Sequence, residues 1–326
     1  MFKAIQIDKP EGHYTASLVA LDEQALPEGD VTVAVEYSSI NYKDALAITG
    51  RGPIVRQFPM VPGIDFAGTV MASDSADYAV GDRVLLTGWG VGERHWGGLA
   101  GKARVKSEWL TKMPAGADAK QVMAIGTAGF TAMLCVQAVL DHGVKPEDGP
   151  VLVTGAGGGV GSCAVIILAA MGYQVVASTG RPQEAGWMRE QLGASDIINR
   201  DELSAPGKPL QKERWVAAID TVGSHTLSNV CASVRYDGIV AACGMAQGMD
   251  LPATVAPFIL RGVTLRGIDS VMVSSAKRPA IWEKACQYLT PAALEKLSAV
   301  YPLNEAIGVA EKLLNGQIRG RAVIKI

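Results

Sequence analysis

From residue 1 to about residue 124 the apolar positions come in short runs rich in Val, Ile and Thr, such as Val31-Thr-Val-Ala-Val-Glu-Tyr37, separated by Gly, Pro and Asp. Alternation with a period of two in runs this short predicts strands, and many in succession predict an all-β barrel. Val80-Gly-Asp-Arg-Val84 reads as one of the intervening turns, with Gly81 at positive φ and Asp82 hydrogen-bonding the backbone. After residue 125 the period changes. Apolar residues over 128–140 recur at helical spacing and stop at His142-Gly143, a helix end. Strands then alternate with helices: strands over 151–154, 174–178, 196–199, 216–220 and 239–242, with helices beginning at Val160 and Gln183. That order predicts a parallel sheet covered by helices on both faces. A further strand over 263–268, helical segments around 281–289 and 304–314, and a last strand over 321–326 complete the pattern. The last strand is a candidate to rejoin the first domain.

Composition narrows the picture. The chain has 326 residues, 48% of them hydrophobic, enough for two domains with cores of their own. With a formal net charge of −2 and Lys and Arg scattered among Asp and Glu, no basic stripe is present, and nucleic acid is not an expected partner. Residues 1–10 lack the pattern of a secretory signal, and the apolar stretch 160–173 is too short to span a bilayer, so no membrane segment is expected. The five cysteines are far apart and odd in number, which points to a reducing, cytoplasmic setting without a disulfide framework. They form no C-x-x-C, and the four histidines form no H-x-x-x-H, so no metal site is expected.

The strongest chemical signal is Val151-Leu-Val-Thr-Gly-Ala-Gly-Gly-Gly-Val-Gly161. A buried strand runs into a glycine-rich turn that opens an apolar helix, an order that aims backbone N–H groups and a helix N-terminus at a pyrophosphate. Its register, Ala156-x-Gly158-x-x-Gly161, is a dinucleotide fingerprint with Ala in the first place. Gly157, Gly159 and Val160 complete the cradle; Gly158 admits the diphosphate, and Gly161 lets helix and strand pack closely. NAD enzymes end the second strand of such a unit on an acid that binds the ribose hydroxyls. Here it ends Val176-Ala-Ser-Thr-Gly-Arg181. Ser178, Thr179, Gly180 and Arg181, with Arg200 after the third strand, offer hydroxyls and positive charge to a 2′-phosphate, which favours NADPH over NADH.

Asn41-Tyr-Lys-Asp44, Pro62-Gly-Ile-Asp-Phe-Ala-Gly68, Val80-Gly-Asp-Arg-Val84, the turn 155–161 and Gly320-Arg-Ala-Val323 occur in this order along the chain. In this the whole chain resembles the quinone-oxidoreductase-like proteins of the medium-chain dehydrogenase/reductase superfamily. Ser39-Ile-Asn-Tyr-Lys-Asp-Ala-Leu-Ala-Ile-Thr-Gly50, Leu86-Thr-Gly-Trp-Gly-Val-Gly92 with His95-Trp-Gly-Gly98, and Gly126-Thr-Ala-Gly-Phe-Thr-Ala132 are similar to its NADPH-dependent acrylyl-CoA reductase branch. The resemblance implies an α/β chain with a GroES-like β-barrel catalytic domain, residues 1–125 and 296–326, and a Rossmann doubly wound parallel sheet, residues 126–295. Where zinc alcohol dehydrogenases carry Gly-His-Glu, this chain has Gly63-Ile64-Asp65, and their cysteine cluster is missing, so the implied chemistry is zinc-independent.

The implied reaction is hydride transfer to the β-carbon of acrylyl-CoA, followed by protonation at the α-carbon to give propanoyl-CoA. Asn41 and Tyr42 resemble residues that face the nicotinamide, as candidates for orientation and charge stabilisation; which of them donates the proton is open. The resemblance also places Thr127 and Thr131 near the nicotinamide amide, Cys243-Gly244-Met245 under its ring, and Leu260 and Ser270 in segments approaching the cofactor. Cys243 reads first as a small core residue. Trp89, Arg94, His95 and Trp96 sit among glycines, suited to a pocket rim gripping an acyl-CoA or to a lid over a small core. Arg319 and Arg321 are candidates for the CoA phosphates. The cofactor motifs do not distinguish the thioester from a quinone or small enone, nor exclude an NADPH-binding protein without turnover. The strand over 263–268 resembles one that pairs across a two-fold, which implies a homodimer.

Overall fold

Strand Val31–Ile40 carries apolar residues at alternate positions, and in the computed structural model, which describes residues 1–326, Val31, Val33 and Val35 are all buried. It is the hub of a seven-stranded sheet. One of its edges pairs antiparallel with Asp65–Ser73. The other is shared, Val31 opposite Val105 of Lys102–Val105 and Ile40 opposite Ala322 of Arg321–Lys325. The sheet continues through Arg83–Thr87 to Thr111–Lys112 on one side and, in parallel pairing, to Ser298–Pro302 on the other. A separate antiparallel pair joins Phe2–Asp8 to Thr15–Leu21. Val31, Val33, Val35, Phe66, Val70, Val84 and Leu86 form one core. Ile5, Ile7, Ile40 and Met60 form another with the helices Tyr42–Thr49 and Ala306–Leu314. Each such side chain contributes about 1.5–3 kcal/mol on burial. These elements belong to a unit comprising Met1–Thr127, Ser270–Cys286 and Leu297–Ile326.

The second unit, Ala128–Asp269 and Gln287–Lys296, is built on six parallel strands. Across the sheet they run Asp196–Asn199, Val175–Thr179, Val151–Val153, Trp215–Asp220, Val234–Ala242 and Thr264–Gly267. In chain order this is 3-2-1-4-5-6, the doubly wound dinucleotide arrangement, whose switch point lies at the carboxyl end of the central strand. Helix Gly159–Ala170 begins there.

The structure departs from the sequence expectations in four places. Ser270–Cys286 belongs to the first unit, although the division at 126–295 placed it in the second. Arg278, in helix Arg278–Tyr288, is buried and donates to the carbonyls of Thr87, Val271 and Val273, which ties the segment to the barrel. The helix expected from Gln183 is instead a succession of short turns, Pro182–Glu184, Ala185–Trp187 and the π-turn Met188–Leu192, ended by Gly193 at φ 86°. Strand Ser298–Pro302 has no long alternating run and ends on Pro, so its pairing with Arg321–Lys325 is a tertiary fact. The helix expected over 128–140 begins earlier, as Ala119–Asp141. This helix has the length and apolarity to cross a membrane, but 83% of its most apolar stretch is buried, and its backbone breaks at Gly126 (φ 53°, ψ −162°). Both are properties of a core helix.

Candidate functional site

The glycine-rich turn of the second unit follows from two close approaches. Gly155 takes φ 59°, which lets the chain reverse after Val151–Val153. A Cβ on Gly161 would overlap the Gly155 carbonyl oxygen and lie 2.8 Å from Ala156 Cα, so helix and strand meet at a distance only glycine permits. Gly158 is the N-cap; its own N–H goes back to Gly155 at 2.9 Å and its carbonyl accepts from Ser162. The N–H groups of Gly159, Val160 and Gly161 lie in the first turn, where no intrahelical carbonyl reaches them. With the helix dipole behind them they fit a diphosphate. Gly155 was absent from the residues expected from sequence, and its position directly after the strand was the available signal.

Around this turn the expected residues divide. Arg181 lies across it, Nη2 donating to the Gly157 carbonyl at 2.7 Å. Arg200 is 70% exposed in its side chain and passes over Gly180, where a Cβ would lie 2.5 Å from its Nε. Ser178 and Thr179 do not offer free hydroxyls: both are buried, and Thr179 Oγ1 accepts from Arg181 N–H at 3.0 Å. Cys243 is half-buried, its thiol directed at the Asp220 carbonyl, 3.5 Å away. Gly244 packs on the Thr221 backbone and Met245 is exposed. Asp220 itself is buried and accepts from Thr154 Oγ1 (2.7 Å) and Gly223 N–H (2.8 Å); burial pushes its pKa up. Thr131 is buried, whereas Leu260, in helix Ala256–Arg261, is exposed.

In the first unit a polar network fills the ground between Val31–Ile40 and the break at Gly126. Asp65, fully buried, accepts through Oδ2 from Ser39 Oγ (2.7 Å), Asn41 Nδ2 (2.8 Å) and Thr127 N–H (2.8 Å), and through Oδ1 from Thr127 Oγ1. Arg321, also buried, donates to Asn41 Oδ1 (3.0 Å), Ser39 Oγ (3.0 Å) and the Ala124 carbonyl (2.9 Å), and stands 3.9 Å from Asp65. A Cβ on Gly126 would lie 2.7 Å from Asp65 Oδ2, so the network needs that glycine. Two expectations are corrected here. Arg321 is an internal counter-ion, withdrawn from any substrate phosphate. Asn41 spends both ends of its amide inside the network and so positions its neighbours instead of donating to a reacting atom. Thr127 donates its N–H and its hydroxyl to Asp65, which leaves its expected place beside the nicotinamide amide unaltered. Tyr42, the next residue, is 53% exposed and remains available.

Asp44 closes the network. It is buried and accepts from Asn41 N–H (2.8 Å) and Ile64 N–H (2.9 Å). Burial first, and the Asp65 charge second, raise its pKa from the ordinary 3.8 to about 7 against those hydrogen bonds. The folded chain therefore holds this proton more tightly than the unfolded chain. Its contribution to stability is full below 3.8 and is lost as pH rises to about 7. Asp44→Asn is expected to flatten that part of the profile. Melting temperatures from about pH 4 to pH 8 check this, and an unchanged slope in the variant would remove Asp44 as its source.

The glycine-framed loop of the first unit is partly structural. His95 Nε2–H donates to the Arg104 carbonyl at 2.7 Å, and its ring edge meets Trp109. Burial, helped by the charge of Lys106, holds this imidazole below its ordinary 6.5. Trp96 donates to the Pro59 carbonyl (3.1 Å) and packs on two cores. Both serve as the lid over a core and are corrected as substrate contacts. Trp89 adopts φ 57° and faces the Arg278 guanidinium, 4.8 Å from its ring centre. Arg94 and Arg319 are exposed. Ser270 contributes its carbonyl to Arg278 within this first unit.

Two family profiles match the chain: the alcohol dehydrogenase GroES-like domain over residues 27–115 and the zinc-binding dehydrogenase over residues 159–289. Over 324 residues, 99% of each chain, it is 53% identical to a probable acrylyl-CoA reductase, AcuI, of Escherichia coli. Over 329 residues it is 50% identical to the acrylyl-CoA reductase AcuI of Ruegeria pomeroyi, covering 100% of this chain and 99% of that protein. The crystal structure of the yhdH oxidoreductase of Salmonella enterica in complex with NADP superposes with a TM-score of 0.97, at 52% identity over 99% of both chains. The second profile's description includes zinc, and the residues present do not fit it. Asp65 is saturated by hydroxyl, amide and backbone donors beside a guanidinium, and no group of three or more His, Cys, Asp or Glu side chains is placed to hold a metal ion.

Proposed function

This chain belongs to the medium-chain dehydrogenase/reductase superfamily, among its quinone-oxidoreductase-like acrylyl-CoA reductases; from that premise we propose that it reduces the C=C bond of acrylyl-CoA to propanoyl-CoA with NADPH. The observation that carries this is identity of 50–53% along the whole length of two acrylyl-CoA reductases. When bound, NADPH supplies the hydride to the β-carbon. The chain's own residues do the rest. The amides of Gly159, Val160 and Gly161 and the approach left open at Gly158 hold the diphosphate, while Arg181 and Arg200 take the 2′-phosphate. Tyr42, exposed at the start of its helix and next to the fixed Asn41, is the candidate to orient the acyl group and stabilise charge on its oxygen. Arg94 and Arg319, both exposed, are the remaining cations for the CoA phosphates, with Trp89 as an aromatic ring five residues before Arg94.

The test is to follow nicotinamide absorbance on mixing the purified chain with acrylyl-CoA, with NADPH and NADH in parallel and a simple quinone as rival substrate. Turnover of the thioester with NADPH alone is the expected result. Turnover of quinone alone would move the substrate assignment, and binding of NADPH without turnover of either would overturn the enzymatic reading.

We place the protein in the cytoplasm, as a homodimer. Strand Thr264–Gly267 is paired on one edge only, and the helix before it exposes Ile259 and Leu260 after an exposed Val255, an apolar edge that a second copy would extend across a two-fold. Gel filtration at micromolar concentration is expected to give twice the 34.2 kDa chain mass, and elution at the single-chain mass would refute the dimer.

A further inference from the structure

A charge pair lies against the glycine-rich turn. Arg181 Nε and Glu184 Oε2 are 3.1 Å apart, and their side chains are only 24% and 16% exposed. The guanidinium also donates to the Gly157 carbonyl at 2.7 Å. A Cβ on Gly157 would lie 2.5 Å from Arg181 Nη2 and 3.3 Å from Glu184 Oε2, so both charges rest directly against the turn. Glu184 Oε2 is buried and accepts no hydrogen bond. The carboxylate oxygen is held by the charge of Arg181, not by aligned donors.

We propose that Glu184 is a specificity-determining residue: its carboxylate stands in for a phosphate on Arg181, and the adenosine 2′-phosphate of NADPH must displace it. The inference rests on the reading of Arg181 as the 2′-phosphate partner. A phosphate dianion offers more charge and more acceptor oxygens than a carboxylate and takes the guanidinium fork. The displaced carboxylate stays nearby, well inside a screening length, and repels the dianion. Glu184 therefore loosens the grip on the phosphorylated cofactor, reduced or oxidised, which eases release after turnover. NADH lacks the phosphate and leaves the pair in place. The effect of Glu184 is selective for NADPH and passes through Arg181.

Isothermal titration of NADPH and of NADH into the wild type, Glu184→Gln, Arg181→Ala and the double variant reads this directly. Glu184→Gln is expected to tighten NADPH binding about tenfold and to change NADH binding by less than about twofold. In the Arg181→Ala background the same substitution is expected to change NADPH binding by less than about twofold. Equal weakening of both nucleotides by Glu184→Gln would make Glu184 a structural brace of the turn, and tenfold tightening that persists without Arg181 would remove the proposed route; either overturns the proposal. Glu184→Thr, titrated in the same way, serves if the Gln variant does not fold. A wild type that binds NADH but not NADPH would remove the cofactor reading and this inference together. NADPH preference in the wild type with no response to Glu184→Gln would overturn the inference alone.

Discussion

Replacing Arg321 with Met is expected to lower the melting temperature by on the order of 10 °C. The guanidinium is almost wholly buried and is the cation beside Asp65 in a network that also holds Asp44. Methionine matches much of its volume and restores none of its charge. Removing one partner of a buried ion pair leaves the other uncompensated and costs about 3–5 kcal/mol. The loss reaches the face where Tyr42 begins its helix, because Asn41 Oδ1 and Ser39 Oγ lose their shared donor. Thermal unfolding followed by circular dichroism measures the effect. A fall of less than about 2 °C would show that the network tolerates the missing charge and that Arg321 is not its counter-ion.

Gly161→Ala is expected to weaken NADPH binding by about thirtyfold and to destabilise the second unit, whereas Gly158→Ala weakens binding with little loss of stability. The contrast follows from what each new methyl meets. At Gly161 it overlaps the Gly155 carbonyl and crowds Ala156, so helix and strand must part. Overpacking of this kind costs about 1–3 kcal/mol, and it displaces the amides of the turn. At Gly158 the methyl meets only the Gly155 carbonyl at 3.3 Å and the fold accommodates it, yet it stands where the diphosphate approaches. Calorimetric titration and melting curves on both variants separate the two roles. Equal melting temperatures for the two would refute the assignment of Gly161 to packing.

The parallel sheet and its phosphate turn were legible in the sequence because their determinants are local. A buried strand, a glycine run and an apolar helix follow one another within 151–171, and later strands recur at regular intervals. What the sequence hid was the use made of polar side chains. Arg321 reads as one more charge flanking a final strand, and only the pairing of that strand with Val31–Ile40 brings its guanidinium to Asn41 and Ser39. Ser178 and Thr179 lie in a stretch that looks open, but the strand buries both. Glu184 stands inside a segment that reads as the start of a helix. Pro182 and the short turns around it bring the carboxylate back onto Arg181 instead. The misses differ in origin: Arg321 finds its side-chain partners some 280 residues away, beyond any window on the sequence, whereas Thr179 and Glu184 meet Arg181 within two or three residues, in a backbone conformation that residue type alone does not specify.

The pairing of Val31–Ile40 with Arg321–Lys325 also sets an order of assembly during synthesis. All six strands of the second sheet lie within 151–267, so that sheet has its complete set of partners while the ribosome is still making the rest of the chain. The barrel has no such independence. The edge from Tyr37 to Ile40 waits for some 280 residues to emerge, and the loop so closed spans most of the polypeptide, a high-contact-order step whose entropy is met only at the end. Until then the nascent chain carries one unpaired stretch of edge, Tyr37–Ile40, of the type that invites association with other chains. Arg321 arrives on the strand that caps this edge, so the counter-ion of Asp65 and the closure of the barrel come in the same step.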